Sequence, residues 1–249
     1  MTRRRTTPLK PETIEPAMCS VHMRLEILRQ VPFFANLSAG DIEQVNRLFR
    51  DLGFSPGELI YLAGDPATQL HVVASGKVKL LRHTMRGQDV LLDILTPGEF
   101  FGTLSVLGDE IFSDTAQAHT TACVLVISAA DFREILHRFP SAAIAALEMV
   151  ANRLKAAHDL VRQLSAHSVE QRIAAALLKL AHKLGERQPE GLLIQLPLSR
   201  QDLAEMTGTT TETASRAISQ FQKEGLIHTG RQWIAITNQE SLANIAAGE

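Results

Sequence analysis

Leu198-Ser199-Arg200-Gln201-Asp202-Leu203-Ala204-Glu205-Met206-Thr207-Gly208, followed by Thr209-Thr210-Thr211-Glu212-Thr213-Ala214-Ser215-Arg216-Ala217-Ile218-Ser219-Gln220-Phe221-Gln222, carries two helix patterns separated by a turn. Ser199 can cap the first helix through its side-chain oxygen, and Gly208 suits the tight turn that ends it. Thr209 and Thr210 can start the second helix, which runs through Gln222 and stops at Gly225. Beyond it, Leu226-Ile227 and Trp233-Ile234-Ala235-Ile236 flank Thr229-Gly230-Arg231 as a small hairpin. Helix, turn, helix, hairpin is the order of a winged helix-turn-helix.

Advancing about 100° per residue from Thr211 gathers Ser215, Ser219, Glu212 and Arg216 on one polar arc. Ala214, Ala217, Ile218 and Phe221 fall on the opposite side. One face packs, and the other carries hydroxyls, a carboxylate and a guanidinium with few bulky apolar groups, the composition needed to enter a major groove. Arg216 can donate two bonds to guanine O6 and N7, Glu212 can accept from cytosine N4, and a small serine allows close approach to a thymine methyl. A C·G pair is the natural target of Glu212 and Arg216. The same residues also admit a purely structural reading. Thr209 and Glu212 satisfy a T-x-x-E capping box, and Glu212 with Arg216 is an ordinary i, i+4 ion pair.

Towards the N-terminus, Ile173 to Leu184 reads as an amphipathic helix closed by Gly185. Before it, a long helix follows Pro140, running from about Ser141 to Ser165. Val150, Leu154, Ala157, Val161 and Leu164 are spaced 4, 3, 4 and 3 residues apart on it, the seam of a helix that wants a partner helix. At roughly 37 Å it is longer than one side of a small roll, so the seam predicts a homodimer interface. Between Gly53 and Ser128 the rhythm changes to glycine-marked turns and short strand-like runs, among them Leu59–Leu62, Leu70–Val73, Val78–Leu81, Val90–Leu92 and Val124–Ile127. This spacing predicts an antiparallel barrel or roll. From Leu25 to Leu48 the apolar spacing suggests short helices, with Ser38 three residues before Asp41 as a start signal. The expected organisation is α+β: an arm over 1–24, an antiparallel β-roll sensor over 25–140, a dimerisation helix over 141–167 and a winged helix-turn-helix over 168–249.

Composition bounds the function classes. The 249 residues are 45% hydrophobic, 21% charged and 5% aromatic, enough to bury two cores and incompatible with disorder throughout. No apolar run approaches the roughly 18 residues of a membrane span, and Arg3, Arg4 and Arg5 are followed by no apolar stretch that would make a secretory signal. A soluble, cytoplasmic protein is the expectation. The formal charge of −2 shows no basic excess, so a nucleic-acid partner rests on the local motif alone. Two cysteines, Cys19 and Cys123, make no disulfide framework, and in a reducing compartment each is expected to be buried or chemically poised. A cupin-like barrel enzyme is the alternative of another class. No H-x-H, G-x-S-x-G, P-loop or H-E-x-x-H pattern supports it, and a binding module built on the roll alone would leave the reading helix unexplained.

From about Leu25 to Ile236 the sequence resembles the Crp-Fnr family of bacterial transcription regulators. The residues that carry the resemblance are Leu198-Ser199-Arg200-Gln201-Asp202-Leu203-Ala204, Thr211-Glu212-Thr213-Ala214-Ser215-Arg216 and Lys223-Glu224-Gly225-Leu226-Ile227 near the C-terminus. In the roll they are Pro56-Gly57-Glu58, Ala63-Gly64-Asp65, Ser75-Gly76-Lys77-Val78 and Pro97-Gly98-Glu99-Phe100-Phe101-Gly102. The resemblance implies a homodimer whose two winged domains meet half-sites about one DNA turn apart, with RNA polymerase as a further partner. Glu212, Ser215 and Arg216 are similar to the Fnr-type reading head, which implies TTGA-type half-sites in an inverted repeat. Thr210, Thr211, Ser219 and Arg200 complete the DNA-contacting set.

At the sensor end the resemblance implies an effector region at Gly102, Thr103, Ser113, Asp114, Ala157 and His158. The family's cyclic-AMP branch places a Glu where Thr103 stands and an Arg-Ser pair where Ser113 and Asp114 stand. A phosphodiester would there lose a bidentate cation and meet a like charge, so cyclic AMP is not the expected effector. The Fnr-like branch would use an iron–sulfur cluster on four cysteines. Only Cys19 and Cys123 are available, leaving Cys19, His22 and Cys123 as candidates for a mixed-ligand metal centre or a cluster shared by a dimer. Haem is the third option, with His71, His83 and His158 as candidate ligands. An unidentified organic effector, or none, completes the alternatives.

Overall fold

The computed structural model of the chain describes residues 19–83, 89–102, 111–189, 191–196, 198–230 and 232–248. The chain divides between Ala156 and Ala157 into two compact units.

In the first unit, helix α1 spans Val21–Gln30 and is capped by Ser20, whose side chain accepts from the Met23 amide. The helix therefore begins inside the segment expected to be an unstructured arm. Arg24 explains the difference. Its guanidinium donates to Asp51 Oδ1 at 2.8 Å, to Asn46 Oδ1 at 3.0 Å and to the carbonyls of Asn46 and Phe49, while Ile27 and Leu28 of the same helix are buried. A 3₁₀ turn, Pro32–Phe34, leads to α2, Ala39–Leu48, which starts at Ser38 as its spacing predicts.

The roll consists of β1 (Arg50–Phe54), β2 (Leu59–Tyr61), β3 (Gln69–Ser75), β4 (Val78–His83), β5 (Asp89–Leu95), β6 (Phe100–Phe101), β7 (Thr115–Ala118) and β8 (Ala122–Ser128). They form two antiparallel sheets, ordered β1-β8-β3-β6 and β2-β7-β4-β5. The five runs read as strands are β2, β3, β4, β5 and β8; the sequence reading missed β1, β6 and β7. In Thr115-Ala116-Gln117-Ala118 only Thr115 is of the β-branched or aromatic kind that marks a strand, yet the alanines are buried and β2 and β4 pair on either side. Phe54, Val73, Phe101, Phe112, Val124 and Val126 belong to the interior of the roll. A second core joins α1, the 3₁₀ turn and α2 to α3 (Ala129–Arg138) and to the first turns of α4 (Pro140–Ala166).

In the second unit, α5 (Val169–Leu184) opens with a capping box between Ser168 and Gln171. Gly185 ends it, but in an ordinary extended conformation with φ −77°; it is already the first residue of β9 (Gly185–Gln188), and a Cβ there would lie 2.2 Å from the Ala181 carbonyl. β10 (Gly191–Gln195) follows, then α6 (Arg200–Thr207), α7 (Thr211–Lys223), β11 (Ile227–Gly230), β12 (Trp233–Ile236) and α8 (Gln239–Ala247). The predicted hairpin is β11 and β12, and it is half of a four-stranded sheet ordered β11-β12-β10-β9. The fold is α+β: an antiparallel jelly roll, a long helix and a winged helix-turn-helix.

Candidate nucleic-acid interface and effector region

Two local devices bound α6, one at its start and one at the turn into α7. Ser199 and Asp202 cap α6 reciprocally: the Ser199 amide donates to Asp202 Oδ2 at 2.7 Å and the Asp202 amide donates to Ser199 Oγ at 3.0 Å. Gly208 then takes the left-handed conformation, φ 61° and ψ 44°, which a residue without Cβ adopts at little cost. α7 starts at Thr210, whose Oγ1 accepts from the Thr213 amide at 3.2 Å. The cap is thus Thr210 rather than Thr209, and the capping-box reading of Thr209 with Glu212 does not hold. Glu212 instead accepts from Arg216 Nη2 at 2.9 Å, with both side chains in solvent.

Ala214, Ala217, Ile218 and Phe221 are buried, as the helical arc predicts. Thr210, Thr211, Glu212, Arg216 and Ser219 are exposed, and Ser215 is half-buried among them. Arg200 sits differently. It is half-buried, its burial lowers its affinity for a proton, and its guanidinium points to Thr229 Oγ1 of β11 at 3.5 Å, so it braces α6 against the wing. The edge of α7 is an uncovered row of donors and acceptors on a helix held from behind by its own core.

On α4, Ile144, Leu147, Val150, Leu154 and Val161 are apolar and exposed, Leu147 to 70% and Val161 to 63%. Ala157 is exposed on the same helix; Leu164 lies on α4, its side chain outside the described residues. The sequence reading missed Ile144 and Leu147, which extend the stripe towards the start of the helix. Continuing the heptad back from Val150 would have found Leu147.

In the roll, the Tyr61 ring stacks on Phe112 at 3.8 Å and lies 5.3 Å from His71, which stacks in turn on Phe101 at 5.1 Å. Tyr61 Oη donates to Asp114 Oδ1 at 2.8 Å. Burial, reinforced by the Asp114 charge, keeps the phenol protonated far above the usual range. Burial also raises the Asp114 pKa, against the Tyr61 hydrogen bond and the charges of Arg153 and Arg82. Arg153 reaches back from α4 to donate to the Phe100 carbonyl. Gly102, φ +99°, turns the chain where a Cβ would stand 3.3 Å from His71 Nδ1. Ser113 is exposed beside Asp114; Thr103 lies outside the described residues, and Ala157 and His158 are exposed on α4 in the second unit. Tyr61, which bonds Asp114, Arg153, whose charge acts on it, and Phe112, which stacks on Tyr61, carry no local sequence signal, because nothing in a strand pattern tells which inward residue meets a carboxylate.

His71 is buried, its Nδ1 has no hydrogen-bond partner, and burial lowers its pKa to about 4. Tyr61, Phe101 and Phe112 pack around the ring, which leaves it no open face for a porphyrin, so the residues do not fit haem at His71. The candidate metal centre is corrected as well. Cys19 and Cys123 are joined as a disulfide with Cα atoms 6.5 Å apart, so neither sulfur is a thiolate free to hold a metal. His22 is exposed and pairs with Glu26 at 3.3 Å. Among the described residues no three metal-binding side chains come together, and the set does not fit an iron–sulfur cluster. No helix of the described residues is long and apolar enough to cross a membrane.

Residues 171–245 match the Crp-like helix-turn-helix domain, and residues 52–139 match the cyclic nucleotide-binding domain. The chain is 32% identical over 217 residues to the cyclic AMP receptor protein of Thermus thermophilus, covering 87% of this chain and 97% of that one. It is 24% identical to the fumarate and nitrate reduction regulatory protein of Escherichia coli over 94% of this chain and 93% of the other. The structure of FixK2 from Bradyrhizobium japonicum superposes with a TM-score of 0.71 at 24% identity, covering 79% of this chain and 96% of that one, a likeness of fold.

Proposed function

The chain belongs to the Crp-Fnr family of bacterial transcription regulators, and we propose that it acts as a homodimer that reads TTGA-type inverted repeats in double-stranded DNA under a signal received at the roll. The observation that carries this reading is the exposed edge of α7, where Glu212 and Arg216 stand in solvent opposite a buried face of Ala214, Ala217, Ile218 and Phe221. In the groove, Arg216 donates to guanine and Glu212 accepts from cytosine. Ser215 and Ser219 allow close approach, and Thr210, Thr211 and Arg200 serve the phosphate side. The apolar stripe of α4, from Ile144 to Val161, is the surface that a second copy covers, placing two α7 helices on half-sites one turn apart. The protein then works in the cytoplasm, with the genome, and RNA polymerase is its further partner.

The signal is other than cyclic AMP. Asp114, bonded to Tyr61, puts a carboxylate where the family resemblance places the serine that holds a phosphate, and an incoming phosphodiester meets like charge there. A change at the roll alters how the two copies of α4 pack, which turns the reading helices into or out of groove register. A gel-shift titration on an inverted TTGA repeat and on a scrambled duplex tests the reading: selective retardation of the repeat is expected, and equal affinity for both overturns it.

A further inference from the structure

We propose that Cys19 and Cys123 form a reversible thiol–disulfide site through which a dithiol or a disulfide in solution sets how firmly α1 is tied to the roll. The chemistry stands alone; its consequence for regulation rests on the DNA-binding reading above. The chain has two cysteines in 249 residues, and the fold brings these two into one bond across a sequence separation of 104. Cysteines used as small apolar filler have no reason to meet. Thiols in the compartment that holds the genome are kept reduced, and a disulfide formed there is characteristically transient and redox-sensing.

The two sulfurs differ in access. Cys123, 2% exposed, lies within β8 between Gly53 of β1 and Ser75 of β3. Cys19, 8% exposed, stands at the margin, one residue before the Ser20 cap of α1. Attack by a dithiol thiolate therefore falls on Cys19 Sγ. The S–S bond breaks, Cys123 leaves as a thiolate and takes a proton, and a mixed disulfide is left on Cys19. The second sulfur of the reductant attacks its own partner sulfur, releasing Cys19 as a thiol and a cyclic disulfide, so two electrons and two protons pass to the protein. Glutathione disulfide reverses this: the Cys19 thiolate attacks one of its sulfurs, forms the mixed disulfide and releases one glutathione. Cys123 then displaces the second.

Cys19 shares one core with Ile27 and Leu28 of α1, Phe132 and Ile135 of α3, and Ala142 and Ala146 of α4. Opening the bond releases the covalent tie at one edge of the packing on which the first turns of α4 rest. The redox state of the pair thereby reaches the helix that presents the dimer stripe.

The test equilibrates the full chain in glutathione buffers from reducing to oxidising, traps thiols with a maleimide for intact mass, and follows thermal melting and affinity for the inverted repeat in parallel. A single two-thiol transition within the folded protein is expected, with melting higher by several degrees in the disulfide form and DNA affinity differing about fivefold or more between forms. Cys19→Ala, and separately Cys123→Ala, remove both dependences while the reduced wild type remains the folded reference. Thiols that stay unpaired in the oxidising buffers, a bond that survives dithiothreitol in the native protein, or equal DNA affinity in both forms overturns the proposal. A thiol transition with no DNA binding in either form supports the site and overturns the DNA reading instead.

Discussion

Arg216 is exposed to 73% and bonded to Glu212, itself 80% exposed, so the pair adds at most a few tenths of a kcal/mol to the helix. Arg216→Ala is expected to leave thermal melting unchanged within experimental error, while weakening the bound inverted repeat by about 1 to 3 kcal/mol, read by fluorescence anisotropy. His71 lies at the other extreme, buried and with its pKa lowered from 6.5 to about 4. The unfolded chain binds a proton at this position below pH 6.5 while the folded one does not until about pH 4. Stability is therefore full above pH 6.5 and falls through that window, by up to about 3 kcal/mol from this group. Urea midpoints at pH 7 and pH 4.5 should show the loss, and His71→Leu should shrink it; an unchanged pH dependence in the variant contradicts the assignment. The two residues also differ in how far sequence could locate them. Arg216 follows from helical geometry applied to one short segment, whereas the isolation of His71 depends on Tyr61, Phe101 and Phe112 arriving from other strands.

Helix boundaries were the most legible elements, because their signals are local. Ser38, Ser199 and Gly208 each act as their chemistry predicts: two side chains accept from first-turn amides and a glycine turns left-handed. Gly208→Ala should cost about 1 to 2 kcal/mol through its Cβ in that conformation, seen as a lower melting temperature with dimerisation intact. Segments held by distant partners were not legible. β1 contains Arg50, Asp51 and Gly53 yet is held by pairing with β8 along its length; β9 and β10 complete the wing sheet through Leu192–Ile236 and Ile194–Gly185 pairings. α8 has a local start signal as well, since Asn238 caps it, but the elements expected over 168–249 do not include it. The start of α1 lies earlier than its local spacing suggests because Arg24 reaches Asn46 and Asp51 across more than twenty residues of chain. For the same reason the Cys19–Cys123 bond lay beyond any spacing rule.

The proposed homodimer rests on the apolar stripe of α4 and the polar edge of α7, two surfaces that a single copy leaves open. Leu154, 56% exposed, lies within that stripe. Leu154→Glu places a charge in the proposed seam and is expected to yield monomers by sedimentation, with specific DNA binding lost because each half-site is then held without linkage. A dimeric variant that binds normally contradicts the role given to α4. The central claim is that α7 reads base edges, and a thermodynamic cycle tests it most directly. It combines Arg216→Ala with replacement of the G·C pair in each TTGA half-site and measures all four affinities by anisotropy at one salt concentration. A coupling of about 1 to 3 kcal/mol between residue and base pair is predicted; additive losses, or equal weakening on scrambled duplex, would mean that Arg216 senses only the charge of the backbone.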